Sequence, residues 1–333
     1  MKYRGLVIEG LCIPYVVLEN FGEGLSPEKV KISYNDEMFE LSEPLKSYME
    51  ETVARKQKEA EEKGRKFFDG PQVRLVKVRY NRENGEVELE LQRTSFFRYA
   101  CSNRSMDRTV EEKRIRELYV NEDDLRNLDD GLSNSIGVDI GLLTSDKKII
   151  LTQRSKKLHQ YPGLYGVPAG FMSPKDKYTQ EKYSVFDIKD EMVSPFVTAV
   201  RELYEEVNVQ DSSIPKNMRL IEIGRAYDDM HPEIIVFTQT DATGEDVKKL
   251  AKFARDKFEG PPVPVPFNPR DVARYMVESV KEIPPGTPKI EGLWIPGKSP
   301  LWVPAHWRTV YLLLEREFGS EEANKELKRI LNI

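Results

Sequence analysis

The sequence predicts an α+β fold rather than a doubly wound parallel sheet, and two features of its patterning indicate this. Pairs of segments rich in Val, Ile, Leu and Tyr flank short polar turns, which is typical of β-hairpins. Helical segments stand before, between and after these pairs in mixed order, without a regular alternation of strand and helix. With 333 residues, 39% hydrophobic and 32% charged, the chain is long enough for one large domain or two ordinary ones.

The N-terminal part, residues 1–133, is expected to form a smaller β-rich α+β domain. Residues 1–35 have the pattern of short strands, and residues 43–66 that of one charged, largely solvated helix. The segments VRLVKVRY and EVELELQRT are separated by NRENG, an Asn/Gly turn that favours a hairpin. Residues 106–130 are polar and acidic, so we expect a helix and a connection there.

The C-terminal part, residues 134–333, is expected to form the larger domain. It opens with a second hairpin, IGVDIGLLT and IILTQRS around SDKK, followed by the Gly/Pro-rich loop YPGLYGVPAGF. The segments MRLIEIGRAY and EIIVFTQTD predict two further strands, and GPPVPVPFNP predicts a stiff proline-rich connector. Helices are predicted near 195–207, 244–258, 270–281, 304–318 and 320–331.

Composition narrows the class of partner. The net charge is −5 and the pI near 5.6, whereas general nucleic-acid binders usually have a basic balance, so we expect no nucleic-acid partner. Cys12 and Cys101 stand far apart, which argues against a zinc knuckle and a disulfide framework. Acidic residues and a proline interrupt the apolar start of the chain, which fits neither a signal peptide nor a membrane span. We therefore expect a cytoplasmic location and no membrane partner, and the oligomeric state stays open.

The segment SPFVTAVRELYEEVN, residues 194–208, has the features of a capped amphipathic helix. Ser194 is a good N-cap, Pro195 suits the first helical position, and Asn208 tolerates the left-handed C-terminal conformation. At about 100° per residue, the apolar side chains share one face and three glutamates share the other. The glutamates, spaced three and four apart and therefore neighbours on the helix surface, are Glu202, Glu205 and Glu206.

Three carboxylates this close repel one another unless something neutralises them. Solvent and counter-ions do so on an ordinary acidic helix face, which is the more frequent case for such a helix taken alone. A bound divalent cation is the alternative, and hard oxygen ligands suit Mg²⁺, with Mn²⁺ as a second choice. The residues around the helix shift the balance towards a metal site.

These residues resemble the signature of the Nudix hydrolase family, G-x5-E-x7-R-E-U-x-E-E-x-G-U with U aliphatic. RELYEEVNV matches its second half except that Asn208 replaces glycine, and the upstream loop VPAG ends at Gly170. Asn tolerates the same backbone region, so this departure is mild. Two departures are larger. Gly170 and Arg201 stand farther apart than in the signature, which implies an insertion, and Val193 takes the position of the first glutamate.

Further segments, most of them outside the signature, are similar to the UDP-sugar hydrolases of animals, a branch of the same family. They are FFDGPQVRL (67–75), ELQRTSFFRY (90–99) and LTQRSKKLHQYPGLYGVPAG (151–170), so the resemblance covers most of the chain. It implies a Nudix α/β/α sandwich with a smaller N-terminal domain, acting on UDP-glucose or UDP-galactose to give UMP and hexose 1-phosphate. Two alternatives stay open: ADP-ribose or another nucleoside diphosphate as substrate, and a Nudix-fold nucleotide-binding module without turnover.

The resemblance also implies which residues would hold the metal. Glu202, Glu205 and Glu206 would bind one or more Mg²⁺ ions, and the Gly170 carbonyl would add a ligand. Arg201 would orient a glutamate through a charge-assisted hydrogen bond.

Further residues are candidates for the base and the substrate contacts. Glu205 or Glu206 would serve as general base, and Glu233, at the start of the strand EIIVF, is another candidate with a strand-edge surface residue as its alternative. Arg154 follows the strand IILTQ and is a candidate for phosphate binding, against an ordinary loop cation. Tyr165 is a candidate for stacking on a base, against core or loop packing.

Other polar residues of the chain are expected to have ordinary roles. Asp228 and Asp229 are expected to be solvated loop residues. His159, His231 and His306 have no His or Cys partner at ligand spacing, so we expect surface or packing roles for them.

Overall fold

The computed structural model describes residues 6–8, 11–64, 66–156, 161–174, 193–256, 260–278 and 302–331. The strands are β1 (Leu6–Ile8), β2 (Leu11–Ile13), β3 (Tyr15–Leu25), β4 (Val30–Met38), β5 (Pro71–Asn81), β6 (Glu86–Ser95), β7 (Thr109–Val110), β8 (Lys113–Arg114), β9 (Gly137–Leu143), β10 (Lys148–Gln153), β11 (Tyr165–Gly166), β12 (Ala169–Phe171), β13 (Arg219–Ala226), β14 (Pro232–Gln239) and β15 (Pro262–Pro266). The α-helices are α1 (Glu43–Glu62), α2 (Phe96–Cys101), α3 (Ile115–Tyr119), α4 (Pro195–Val207), α5 (Ser213–Asn217), α6 (Gly244–Leu250), α7 (Pro269–Glu278), α8 (Pro304–Phe318) and α9 (Ser320–Leu331). Across these described ranges, no helix combines the length and apolar character needed to cross a membrane.

The largest sheet of the described structure has eight strands and mixed direction. Its order is β11-β10-β9-β14-β13-β3, with β12 also pairing with β9 and β15 with β10. β9 and β14 run parallel, with Val138 opposite Ile234, whereas the other pairs are antiparallel. The described chain therefore has a mixed α/β architecture with a mainly antiparallel sheet, and the predicted β9–β10 hairpin and strands β13 and β14 are confirmed.

Helices cover both faces of this central sheet. Alternate residues of its strands point in opposite directions, and both sets include buried apolar side chains. Ile234 and Val236 of β14 share a core cluster with Leu203 of α4. Ile235 and Phe237 belong to a second cluster, which contains the apolar side chains of α8. The strands are thus buried on both sides, with α4 on one face and α8 on the other.

A three-stranded sheet with the order β4-β6-β5 is joined to the central sheet through its backbone. β5 and β6 form the predicted hairpin, and Gly85 supplies the positive φ of +64° that its turn requires. The Val73 amide donates to the Met172 carbonyl oxygen at 3.1 Å, and the Ile136 amide donates to the Val73 carbonyl oxygen at 2.9 Å. These bonds link the N-terminal hairpin to the residues next to β12 and β9.

The N-terminal segment also contributes a strand to the central sheet. β3 pairs antiparallel with β13, with Val17 opposite Gly224 and Tyr15 opposite Ala226. The division into domains 1–133 and 134–333 stays a prediction, but its boundary separates β3 from the sheet to which β3 belongs. Patterning along the chain reveals a strand and its buried face, whereas the edge that accepts the strand depends on the assembled sheet.

The prediction of a proline-rich connector is wrong for part of GPPVPVPFNP, because Pro262–Pro266 forms β15. This strand pairs antiparallel with β10, with Val263 opposite Leu151 and Val265 opposite Ile149. Proline lacks an amide hydrogen and is tolerated in edge strands. Since the prolines alternate with valines, their nitrogens lie along one side of the strand, which leaves the other side able to pair.

One helix boundary also differs from its prediction. The helix expected over 244–258 ends at Leu250, and a 3-10 turn, Ala251–Phe253, follows it. The chain then turns towards α4, where it contributes to the site described below.

A buried ion pair fixes α8 to the central sheet. Arg308 Nε and Nη2 donate to the two carboxylate oxygens of Glu222 at 2.8 and 2.6 Å. The two residues are 7% and 0% exposed. Asn20 of β3 donates to the same carboxylate at 2.6 Å, so this one group ties together α8, β13 and β3.

We expect Arg308→Met to lower the free energy of unfolding by about 3–5 kcal/mol, because it leaves the Glu222 carboxylate buried without its cation. Arg79→Met is the matched control. Arg79 pairs with Glu88 and Glu90, but its side chain is 46% exposed, so its loss is expected to cost below about 1 kcal/mol. Urea unfolding followed by circular dichroism measures both variants, and equal losses would contradict the role of Arg308 as a buried anchor.

Candidate functional site

Helix α4 carries the three predicted glutamates, and its ends are fixed as the sequence predicts. The Ser194 side chain accepts a hydrogen bond from the Phe196 amide at 3.3 Å, and Pro195 begins the helix. Asn208 has the left-handed conformation, with φ 56° and ψ 36°. The apolar face, including Phe196 and Leu203, packs in the core.

Two of the three glutamates are buried. Glu202 and Glu205 are 7% and 4% exposed, whereas Glu206 is partly exposed. A solvated acidic face is therefore the wrong description for Glu202 and Glu205. Burying an ionised carboxylate is costly unless a charge partner and hydrogen bonds compensate, so their surroundings have to supply positive charge.

Arg201 supplies part of this charge from the same helix. Its Nη1 lies 2.6 Å from Glu202 Oε1 and 3.0 Å from Glu205 Oε2. Its Nη2 donates to the Phe171 carbonyl oxygen at 2.7 Å. The guanidinium therefore orients two glutamates of α4 and ties the helix to β12.

Gly170 brings the backbone of β12 against the Glu202 carboxylate. Gly170 pairs with Val138 of β9, and a Cβ at this position would overlap both carboxylate oxygens of Glu202. Glycine is needed here for the close approach of a polar side chain rather than for a turn. Of the predicted site residues, Gly170, Arg201, Glu202 and Glu205 thus lie together.

A second arginine reaches Glu205 from a different part of the chain. Arg255 Nη1 lies 2.6 Å from Glu205 Oε1, and the Asp256 amide donates to the Glu205 carbonyl oxygen at 2.8 Å. The Arg255 side chain is 49% exposed, so it approaches the carboxylate from the solvent side. Arg255 could not be predicted as a site residue, because 50 positions separate it from Glu205 and no motif links the two.

The donor set of this site suits a hard divalent cation. Carboxylate and main-chain carbonyl oxygens are the ligands that Mg²⁺ and Mn²⁺ prefer, and Glu202, Glu205, Glu206 and Gly170 offer them. Within the part of the chain that the structure describes, no three His, Cys, Asp or Glu side chains are already arranged as a metal-ligand group. A cation at Glu205 would share the carboxylate with the guanidinium groups of Arg201 and Arg255.

Val193, at the position of the signature's first glutamate, is a core residue. It is 7% exposed and shares a cluster with Phe196 and Val200. A carboxylate there would be buried among apolar side chains directly before the N-cap. Packing therefore accounts for valine at this position, and the acidic groups of the helix are confined to its second half.

Glu233 lies on the other face of the central sheet. Ile234 faces α4, whereas Ile235, which has the same direction as Glu233, belongs to the cluster of α8. The Glu233 carboxylate lies over Gly137 of β9, where a Cβ would not fit. The structure does not bring Glu233 together with the glutamates of α4, and its role as general base stays a prediction.

A buried network surrounds the imidazole of His231. Nε2 lies 2.6 Å from Glu233 Oε1, and Nδ1 lies 2.6 Å from Asp229 Oδ1. The Tyr99 hydroxyl donates to Asp229 Oδ2 at 3.0 Å, and the ring of Phe171 packs against His231 with centroids 5.6 Å apart. Asp229 is 6% exposed, so the expectation of a solvated loop residue is wrong. His231 is buried as well, and each of its two ring nitrogens contacts a carboxylate.

The protonation of this network is shifted by burial and by neighbouring charges. Burial, and then the nearby Asp139 carboxylate, raises the pKa of Glu233 to about 7, although His231 acts in the opposite direction. Burial opposes a charge on His231, yet Asp229 and Glu233 together raise the pKa of its imidazole well above the ordinary value. A proton is therefore held between these groups near neutral pH.

A second polar pair, which sequence reasoning missed, lies beneath α8. His306 Nδ1 accepts a hydrogen bond from the Val167 amide at 3.1 Å, and its Nε2 lies 3.1 Å from Asp139 Oδ1. Gly166 leaves the space that the imidazole occupies. Asp139 could have indicated this pair from the sequence. It is a carboxylate inside the apolar segment IGVDIGLLT, and a buried carboxylate needs a polar or charged partner.

Tyr165 and Arg154, the predicted substrate-binding residues, lie where β10 and β11 meet. The Tyr165 ring packs against Tyr275 and Trp302, with centroids 5.8 and 5.9 Å apart, and burial raises the pKa of its phenol. The Arg154 amide donates to the Leu164 carbonyl oxygen at 2.9 Å. Tyr165 thus has the packing contacts of the alternative interpretation, and substrate binding by either residue stays a prediction.

Comparison with known proteins supports the resemblance to Nudix hydrolases. The chain is 28% identical to Nudix hydrolase 9 from Arabidopsis thaliana over 134 residues, which are 38% of this chain and 43% of that protein. The match thus spans less than half the length of that relative. No model of a protein family matches the chain.

Several solved structures overlap parts of the chain at low similarity. One is a bifunctional NMN adenylyltransferase/ADP ribose pyrophosphatase from Francisella tularensis, complexed with AMP and a manganese ion, with a TM-score of 0.28, 15% identity, and coverage of 55% of this chain and 41% of that chain. Another is the NUDIX domain of NrtR from Shewanella oneidensis, complexed with ADP ribose, with a TM-score of 0.22, 24% identity, and coverage of 32% and 60%. TM-scores in this range do not define a common fold, so the support for Nudix kinship rests on the curated relative.

We expect Glu233 to make the protein less stable as the pH rises from about 4.5 towards about 7. The raised pKa means that the folded state holds this proton more tightly than the unfolded chain does, so stability present at low pH is lost through this window. Glu233→Gln removes the titrating group and should flatten the dependence. Glu245→Gln, at a side chain that is 63% exposed, is the control. Urea midpoints at intervals between pH 4.5 and pH 8 test this, and equal pH slopes in wild type and Glu233→Gln would refute it.

Proposed function

We propose that this protein is a Nudix-type hydrolase that cleaves the diphosphate bond of nucleoside diphosphate compounds with the help of Mg²⁺ or Mn²⁺. The observation that carries the proposal is the pair of buried carboxylates on α4, Glu202 and Glu205, bridged by Arg201 beside Gly170. Keeping two ionised carboxylates inside a protein is costly for a merely structural helix. The cost is understandable if their oxygens serve as ligands.

The proposed ligands are the carboxylates of Glu202, Glu205 and Glu206 and the carbonyl of Gly170. A bound divalent cation would supply neutralisation of the diphosphate charge and activation of a water molecule. We propose that the chain adopts the Nudix α/β/α sandwich fold with a smaller N-terminal domain.

The residues of the chain have distinct proposed roles. Arg201 orients Glu202 and Glu205, because its guanidinium pairs with both and its side chain is only 16% exposed. Glu206 is the partly exposed member of the set, so it is the proposed general base that accepts a proton from water. Glu205, which two arginines hold, is less suited to accept a proton because both cations favour its ionised form.

The proposed substrate is a nucleotide sugar, UDP-glucose or UDP-galactose, cleaved to UMP and hexose 1-phosphate. This choice rests on the sequence segments outside the signature, above all 67–75 and 90–99. ADP-ribose is the second candidate in the same reaction class. A cytoplasmic location belongs to the same proposal.

We expect Glu206→Gln to lower kcat by roughly 10²-fold or more, the usual effect of losing a general base, while the protein stays folded. The substitution keeps the shape of the side chain. Glu245→Gln on α6 is the control, since its exposed carboxylate pairs only with a surface lysine among the contacts described for it, and we expect wild-type turnover. Release of UMP from UDP-glucose and UDP-galactose, and of AMP from ADP-ribose and NADH, is measured with and without Mg²⁺.

The outcomes separate the enzyme from a binding module. Mg²⁺-dependent product release that Glu206→Gln abolishes supports the proposal. Tight binding of a nucleotide sugar without product release would identify a nucleotide-binding module and overturn the enzymatic function. Full activity of Glu206→Gln would remove Glu206 from the mechanism.

A further inference from the structure

Arg201 and Arg255 each contact a different oxygen of the Glu205 carboxylate. Oε2 lies 3.0 Å from Arg201 Nη1, and Oε1 lies 2.6 Å from Arg255 Nη1. Each oxygen of this carboxylate therefore already faces a positive charge. A divalent cation placed at ligand distance would be repelled by a guanidinium at the same oxygen, so cation binding is favoured if one of the two arginines moves away.

Arg201 is poorly suited to move. It is paired with Glu202 as well as Glu205 and also donates to the Phe171 carbonyl oxygen. Its side chain is 16% exposed. Its displacement would leave Glu202, which is also buried, without this cation, and would release the contact between α4 and β12.

Arg255 has the properties of a mobile partner. Its side chain is 49% exposed, whereas that of Glu205 is 5% exposed, so the arginine reaches a buried acid from outside. Its backbone stays beside α4, because the Asp256 amide donates to the Glu205 carbonyl oxygen. If its guanidinium turns away, a cation replaces it at Glu205 and no buried charge is left uncompensated.

We propose that Arg255 exchanges partners during binding: it holds Glu205 in the cation-free protein and pairs with the diphosphate of the substrate once a cation occupies the carboxylate. A guanidinium offers two parallel donors that match phosphate oxygens. The anionic diphosphate would have to lie next to the cation and therefore within reach of a side chain anchored at Glu205. This inference rests on the proposed function and names a positioning and specificity residue for it.

The test compares Arg255→Gln with wild type in two measurements. Titration with MnCl₂ in the absence of nucleotide should show about two- to fivefold tighter Mn²⁺ binding, because a competing surface ion pair has been removed. With UDP-glucose and ADP-ribose as substrates, KM should rise about tenfold or more while kcat changes little, because a charge-assisted contact to the diphosphate is lost. Arg255→Lys keeps the positive charge but lacks the two parallel donors of the guanidinium. Its Mn²⁺ affinity should therefore stay near wild type, and its KM should lie between those of wild type and Arg255→Gln.

Lys248→Gln is the matched control. Its side chain is also 49% exposed and forms an ion pair, but with Glu245 on α6 rather than with the site. We expect unchanged Mn²⁺ affinity and unchanged KM. Circular dichroism and thermal unfolding confirm that all variants are folded.

Two results overturn the exchange of partners. Weaker Mn²⁺ binding by Arg255→Gln would mean that Arg255 is a fixed support for Glu205, and values equal to those of Lys248→Gln would mean that it does not take part. In both cases a wild-type protein that binds Mn²⁺ and releases UMP or AMP leaves the proposed function intact. A wild-type protein that does neither would refute the function and this inference together.

Discussion

The burial of two glutamates on α4 is the constraint from which the arrangement of the site follows. The apolar face of the helix packs on the central sheet, and its other face would be solvated if nothing covered it. β12 and the segment after α6 cover it, and this brings Glu202 and Glu205 out of water. Positive charge therefore has to enter with them, and Arg201 supplies it within the same helix while also binding β12.

Polar side chains are also buried on the other face of the central sheet. Three large polar side chains there lie directly on glycines of the strands. Gly137 makes room for Glu233, Gly166 for His306, and Gly224 for Tyr15. These glycines weaken strand propensity, and the space for a buried polar side chain is the physical reason for their presence. Gly170 beside Glu202 follows the same rule on the α4 side.

The N-terminal segment is part of this arrangement. β3 completes the edge of the central sheet at β13, and Tyr99 of α2 donates to Asp229 in the His231 network. Arg225 of β13 donates to Asp130 and Asn134 at 2.6 and 2.9 Å. The network around β14 is thus built from both halves of the sequence, and a fragment that begins at residue 134 would lack several of its partners.

The local structure of the candidate site follows from the residues of α4 and its caps. Ser194, Pro195 and Asn208 set the ends of α4, and the spacing of its residues placed the glutamates on one face, because caps and helical periodicity are properties of a few neighbouring residues. Three other features follow from tertiary packing: the burial of Glu202 and Glu205, the contact of Arg255 with Glu205, and the direction of Glu233 towards the opposite face. Each of these depends on which distant segment lies beside the helix or the strand. Charge compensation in a protein interior acts through space, and a partner fifty positions away leaves no periodic trace along the chain.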